Sequence, residues 1–186
     1  MTTSFKRAAT AGFTLIELLI VVIILAIISA IAIPQFSAAT SDAQSSALDA
    51  NLATMRNSIE QYRAQHTGFV YPGTNASSGA ECEEGEAGTG TAGTEQAFKD
   101  QMQYASNATG QTCTIAHGAF RYGPYLRQGV PQEPINNSNV VAVTANATIT
   151  PATGDAAAGW AYSTKTGQFI MNSAAEDANG KAFSDR

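Results

Sequence analysis

Hydrophobic positions are unevenly spread along this chain. From Phe13 to Ile33 the sequence FTLIELLIVVIILAIISAIAI runs for 21 residues with no Gly or Pro and a single charge, Glu17. Apolarity on every face, rather than on a stripe, predicts a helix bound for an apolar medium. At about 1.5 Å per residue it reaches roughly 31 Å, the hydrocarbon thickness of a bilayer. Past Pro34 the pattern changes: Leu48, Leu52, Met55, Ile59 and Tyr62 recur at spacings of 4, 3, 4 and 3, with Asp49, Asn51, Arg56, Asn57, Glu60 and Arg63 on other faces. That is an amphipathic helix, its stripe packing on the protein's own sheet or serving as a seam against another copy, with the first use preferred. Pro34 removes a hydrogen bond and crowds the preceding turn, so it predicts a bend or a melted turn, or else an end to the membrane helix. The stripe beyond it argues for continuation, to a C-cap at Gly68.

Residues 69–186 read as loop-rich with a little sheet. The stretch 73–94 is dominated by Gly, Ala, Ser, Thr and Glu, with little to bury, and predicts a surface loop. A short helix is expected over 95–104 behind a Thr94 N-cap. Strand-like runs cover 140–144, 147–150, 159–163 and 168–171. The last two form a hairpin about Thr164-Lys165-Thr166-Gly167, with Trp160, Tyr162, Phe169 and Ile170 available to pack. The expected fold class is α+β, with a long N-terminal helix on a small, loop-rich antiparallel sheet.

Length and charge narrow the function. The 186 residues suit one globular domain plus an accessory segment. Ten Lys and Arg against fifteen Asp and Glu give a net charge of −5, with no basic stripe, so nucleic acid is not an expected partner. The leading residues MTTSFKRAATAG carry Lys6 and Arg7 and no acid, the look of a processed leader. No A-x-A-like site succeeds the apolar run, so that run is expected to stay on the mature protein. Positive charge at its N-terminal flank keeps that end cytoplasmic and places the chain beyond Pro34 outside the cytoplasm. There Cys82 and Cys113, the only cysteines, are expected to pair as a disulfide. No catalytic residue is expected: His66 and His117 each lack a second His at ligand spacing, and no nucleophile elbow or phosphate loop occurs. The acidic run Glu81, Glu83, Glu84 and Glu86 reads as a solvated loop.

The stretch Gly12-Phe13-Thr14-Leu15-Ile16-Glu17-Leu18 resembles, position by position, the cleavage and methylation motif of type IV pilins and type II secretion pseudopilins. The resemblance implies cleavage after Gly12 by prepilin peptidase, N-methylation of the new terminus Phe13, and a role in assembly for Glu17. It also implies a proline at the place of Pro34 and a lollipop shape, its continuous helix about 80 Å long at the usual rise. The implied boundaries are a leader at 1–12, a membrane or filament-core helix at 13–33, an amphipathic half at 34–67 and an extracytoplasmic head at 68–186. Glu17 stands out on physical grounds as well, because a carboxylate within a membrane helix costs on the order of 2.5 to 3.5 kcal/mol on insertion scales. The Phe13 amine of a neighbouring copy is a base that would neutralise it in a filament. A local role, stabilising the helix N-terminus, is the alternative.

Weaker matches lie in the head. Ile59-Glu60-Gln61-Tyr62, Tyr71-Pro72, Gly123-Pro124-Tyr125-Leu126, Gly159-Trp160-Ala161-Tyr162 and Thr166-Gly167 resemble major pseudopilins of type II secretion. That branch implies calcium in a C-terminal loop, where Asp177, Asn179 and Asp185 supply oxygen, although the aromatic frame expected around such a loop is missing and a polar Asn-Gly turn reads better. No other cofactor is expected. The resulting expectation is a structural subunit, not an enzyme, anchored in a bacterial inner membrane with its head in the periplasm. Its partners would be further copies of itself, prepilin peptidase, an inner-membrane assembly platform and minor pseudopilins. The alternatives are a surface type IV pilin for adhesion, motility or DNA uptake, and a membrane-anchored binding module.

Overall fold

The computed structural model describes residues 12–153, 157–177 and 180–186. Two compact units emerge, one ending at Asp42 and one running from Ala43 to Arg186, and helix α1 (Leu15–Gln65) contributes to both. In the first unit α1 is apolar all round as far as Ile33, apart from Glu17, and it passes through Pro34 without interruption. The expected melted turn is therefore absent, since one missing N–H removes one hydrogen bond from a helix of 51 residues.

In the second unit the α1 stripe is the inner wall of the core. Leu48, Leu52, Met55, Ile59 and Tyr62 are buried against Phe98 and Met102 of α2 (Glu95–Gln103), Val141, Trp160, Tyr162, Phe169 and Met171 from the sheet, and Phe183. The stripe is thus a core face. Aromatic rings fill most of this space: Phe98 and Tyr162 lie 4.5 Å apart between centroids, Trp160 and Phe169 5.2 Å, near the spacing at which ring pairs attract beyond simple burial. The polar tips find partners at the core's edge. Trp160 Nε1 donates to Pro131 O at 2.8 Å and the Tyr162 hydroxyl to Pro72 O at 2.9 Å.

α2 begins where its capping residue predicts, the Thr94 hydroxyl accepting from Ala97 N at 3.2 Å. Strands β1 (Ala105–Ser106) and β2 (Thr112–Cys113) form a short antiparallel pair. The main sheet has the order β3 (Val141–Thr144), β4 (Trp160–Ser163), β5 (Phe169–Met171). β4 and β5 make the expected hairpin, Tyr162 opposite Phe169. Gly167 in its turn has φ +72°, and a side chain there would overlap the Tyr71 ring, so both conformation and space call for glycine.

Three expectations are corrected. β3 pairs with β4 in parallel, Val141 opposite Trp160, so the sheet is mixed. Residues 147–150 form no strand, because the chain there must return from the end of β3 to the start of β4. Gly68, with φ +79°, belongs to a 3₁₀ turn (Thr67–Phe69) just past α1, which itself ends at Gln65. The 73–94 loop also buries more than its composition suggests, with Ser77, Gly88 and Gly90 inaccessible. The α+β class with a long N-terminal apolar helix and a small sheet head stands, as in type IV pilin-like folds.

Candidate functional site: the start of the N-terminal helix

Gly12 and Phe13 precede the first turn of α1 in exposed, non-helical backbone, Phe13 being 89% exposed. Among the described residues nothing lies within 4 Å of the point where a Gly12 side chain would begin. Lys6 and Arg7 lie outside the described residues.

Thr14 and Glu17 bind each other. The Thr14 backbone N–H and hydroxyl donate to Glu17 Oε2 at 2.8 and 2.7 Å, and Glu17 N donates back to the Thr14 hydroxyl at 3.2 Å. This reciprocal pattern is a capping box, which satisfies amide groups that a helix start leaves without partners. The local alternative for Glu17 is thus realised within one chain. Its sequence signal, a Thr with a Glu three residues later, is present at positions 14 and 17. Among the described residues the other carboxylate oxygen, Oε1, accepts no hydrogen bond.

From Leu15 to Ile33 every large apolar side chain of α1 is exposed. A surface of this extent is far beyond what a soluble monomer tolerates, and by length and composition the segment is able to cross a membrane. Burying it removes one apolar segment from water; burying Glu17 with it requires a partner for the charge.

The remaining site residues are dispersed. Cys82 and Cys113 form a disulfide, their Cα atoms 6.0 Å apart, and it ties the acidic run to β2 beside a small cluster of Ala105, Phe120 and Ala80. Asp177 does not face open solvent for a cation: its Oδ2 accepts from Arg186 Nη2 at 2.6 Å and its Oδ1 from Lys181 N at 3.0 Å. Arg186 also reaches Asp49 of α1 at 2.9 Å, and these carboxylates hold the guanidinium still more firmly charged. Asp185 lies in a 3₁₀ turn (Phe183–Asp185), and Asn179 lies outside the described residues. Among the described residues no three His, Cys, Asp or Glu side chains gather as metal ligands do.

Residues 7–33 match the family described as the prokaryotic N-terminal methylation motif. No solved structure gives a significant match to the chain.

Proposed function

The methylation motif is the signature of type IV pilins and pseudopilins, and from it we propose that this chain is a shaft subunit of a pilus-like filament, of the major pseudopilin kind found in type II secretion. Subunits carrying this motif are processed by prepilin peptidase and assemble into filaments, a structural role outside any enzyme class. Cleavage falls after Gly12, and Phe13 becomes the methylated terminus. The segment 13–33 first anchors the chain in the inner membrane, head outward, and then passes from lipid into the filament core. Pro34 supplies a helix position with one fewer hydrogen bond, where the core segment adapts to its neighbours. An assembly platform and minor pseudopilins complete the machine.

The observation that carries this reading is the pairing of an apolar helical segment, 15–33, whose large side chains are all exposed, with one carboxylate, Glu17, in its first turn. A simple anchor gains from an acid there only a helix cap, whereas a helical array would bring the Phe13 amine of one copy to the Glu17 of another and cancel both charges away from water. Electron microscopy of sheared surface and periplasmic fractions tests it, with wild type and Glu17→Ala overproduced side by side. Filaments long enough to leave the cell only on overproduction, and lost in Glu17→Ala, are the expected result. Abundant surface filaments at native levels would make the protein a surface pilin, and an absence of filaments in every condition would overturn the assembly role.

A further inference from the structure

His117 is held by two main-chain groups that together fix its protonation. Its Nδ1 lies 2.9 Å from Ile115 O, and Glu83 N lies 3.1 Å from its Nε2. A carbonyl only accepts, so Nδ1 carries the proton; a backbone N–H only donates, so Nε2 is bare. The site therefore takes the neutral imidazole in one tautomer, and it cannot hold the imidazolium without losing the Glu83 bond, because a second ring N–H would point at the Glu83 N–H. The ring packs on Phe120, 5.2 Å between centroids, and Phe120 N donates to His117 O at 2.8 Å, so the imidazole is itself braced.

The segment it grips is tied at both ends and loose between them. On one side Cys82 is joined to Cys113 by the disulfide. On the other, Glu86 N donates to Thr114 Oγ1 at 2.8 Å and Thr114 N to Glu86 O at 2.9 Å. Among the described residues, the bond to His117 is the only hydrogen bond made by residues 83–85. Exposed carboxylates line this loop: Glu81, Glu83, Glu84 and Glu86, none of them in a salt bridge among the described residues. The charged group on the turn that bears His117 is Arg121, whose guanidinium lies over the Tyr122 ring at 5.6 Å; Phe120 and the disulfide bring no charge.

We propose that His117 is an acid-operated latch: a second proton, taken from solvent at Nε2, displaces the Glu83 N–H, frees residues 83–85 and turns the ring toward the carboxylate of Glu83 or Glu84. Protonation converts Nε2 from acceptor to donor, and these carboxylates are the acceptors at hand. Each of the two states then has partners for the ring. The closed loop holds a neutral imidazole and presents four free carboxylates; the open loop holds an imidazolium that cancels part of the acidic run and places the rest differently. Acid thereby changes the charge and shape of this surface while the disulfide and the Glu86–Thr114 bonds keep the loop attached. The device belongs to the head and does not depend on the filament reading.

Nuclear magnetic resonance of the full-length chain in detergent micelles tests the latch, with His66 and His117 resolved as separate ring signals. At about pH 8 the ring nitrogens of His117 should show the proton on Nδ1. As the pH is lowered, the Glu83 amide should lose its hydrogen-bonded shift along the same curve as the His117 ring. Its protection against exchange, corrected for the intrinsic pH dependence, should fall about tenfold. A proton on Nε2 at the alkaline end, or a Glu83 amide that does not follow the ring, overturns the latch. His117→Gln keeps an oxygen able to accept from Glu83 N at every pH, so Glu83 protection should then hold across the range; protection that still falls in acid overturns the role of His117. Glu83→Gln combined with Glu84→Gln removes the acid-state acceptors and should move the His117 titration to lower pH. A titration that stays in place overturns the turn of the ring toward those carboxylates.

Discussion

Asp100 on α2 and Ser77 in the 73–94 loop meet at 2.7 Å, the hydroxyl donating to Oδ2 of a carboxylate that is only 2% exposed. The same oxygen accepts from Thr89 N at 2.9 Å and Gly90 N at 3.2 Å, and Oδ1 accepts from Gln96 Nε2 at 2.6 Å. The neighbouring Gln101 repeats the device, accepting from Gly73 N at 2.6 Å and donating to Asn75 O and Gly110 O at 3.0 and 2.8 Å. A loop with almost no apolar side chains is thus held by two buried polar residues of one helix.

Asp100→Ala is expected to destabilise the head by about 3 kcal/mol, because it leaves two backbone donors and a hydroxyl buried without the partner they share. Chemical denaturation of the detergent-solubilised chain measures this. A midpoint shift equivalent to less than about 1 kcal/mol would mean that water or loop rearrangement takes over the lost bonds.

The Cys82–Cys113 disulfide closes a sequence separation of 31 residues around the same loop. On the chain-entropy account its removal by a double Ser substitution costs about 3.5 kcal/mol. Together with the Asp100 change the loss should fall short of the sum, since both hold one segment and neighbouring effects couple. A double-mutant cycle by denaturation gives the coupling, and strict additivity would show that the loop is not a single cooperative piece.

Much of this was legible in the sequence, and the exceptions share a cause. The α1 stripe, the Thr94 cap and the β4–β5 hairpin each arise from residues within a few positions of one another, where periodicity and capping chemistry are decisive. Thr14 was overlooked, although a Thr three residues before Glu17 is the sequence signal of a capping box. Asp100 was not legible, because the loop groups it holds, the Ser77 hydroxyl and the Thr89 and Gly90 amides, lie ten or more positions away and nothing in the sequence marks them as its partners. The parallel pairing of β3 failed for the same reason: nothing in Val141–Thr144 distinguishes a parallel partner from an antiparallel one, and the intervening segment decides it.

His66 sits at the end of α1, 4% exposed, stacked on the Tyr62 ring at 3.6 Å between centroids and facing Tyr122 and Tyr125. Its Nδ1 meets Tyr62 O at 2.7 Å and its Nε2 the Ser106 hydroxyl at 3.0 Å. Burial lowers its pKa, opposed in part by hydrogen bonding with the backbone of Tyr62 and Asn107. The unfolded chain then binds the proton more readily than the folded one. Stability from this site is complete above the ordinary imidazole value of about 6.5 and is lost as pH falls below it toward the folded value. Urea midpoints between pH 5 and 8 should therefore fall at the acid end, and His66→Gln should flatten that limb. Burial also pushes the neighbouring Tyr125 hydroxyl up to about 12, so this tyrosine remains protonated across the range.

Glu17 has two candidate tasks, capping its own helix through Thr14 and pairing with another copy, and two substitutions separate them. Thr14→Ala removes the hydroxyl that bridges the box but leaves the carboxylate, at a cost of about 1 kcal/mol to the helix start. Glu17→Gln keeps an oxygen able to accept from Thr14 N while abolishing the charge. If capping is what assembly needs, Thr14→Ala should be the more damaging. If charge neutralisation is what counts, Thr14→Ala filaments persist near wild-type yield and Glu17→Gln filaments fall at least about tenfold, since an uncancelled Phe13 ammonium is then left in the apolar core. The second outcome is expected. Mass spectrometry of the N-terminus, showing a methylated Phe13 in both variants, confirms that the difference arises after processing; an unprocessed Glu17→Gln chain would place the requirement at the peptidase instead.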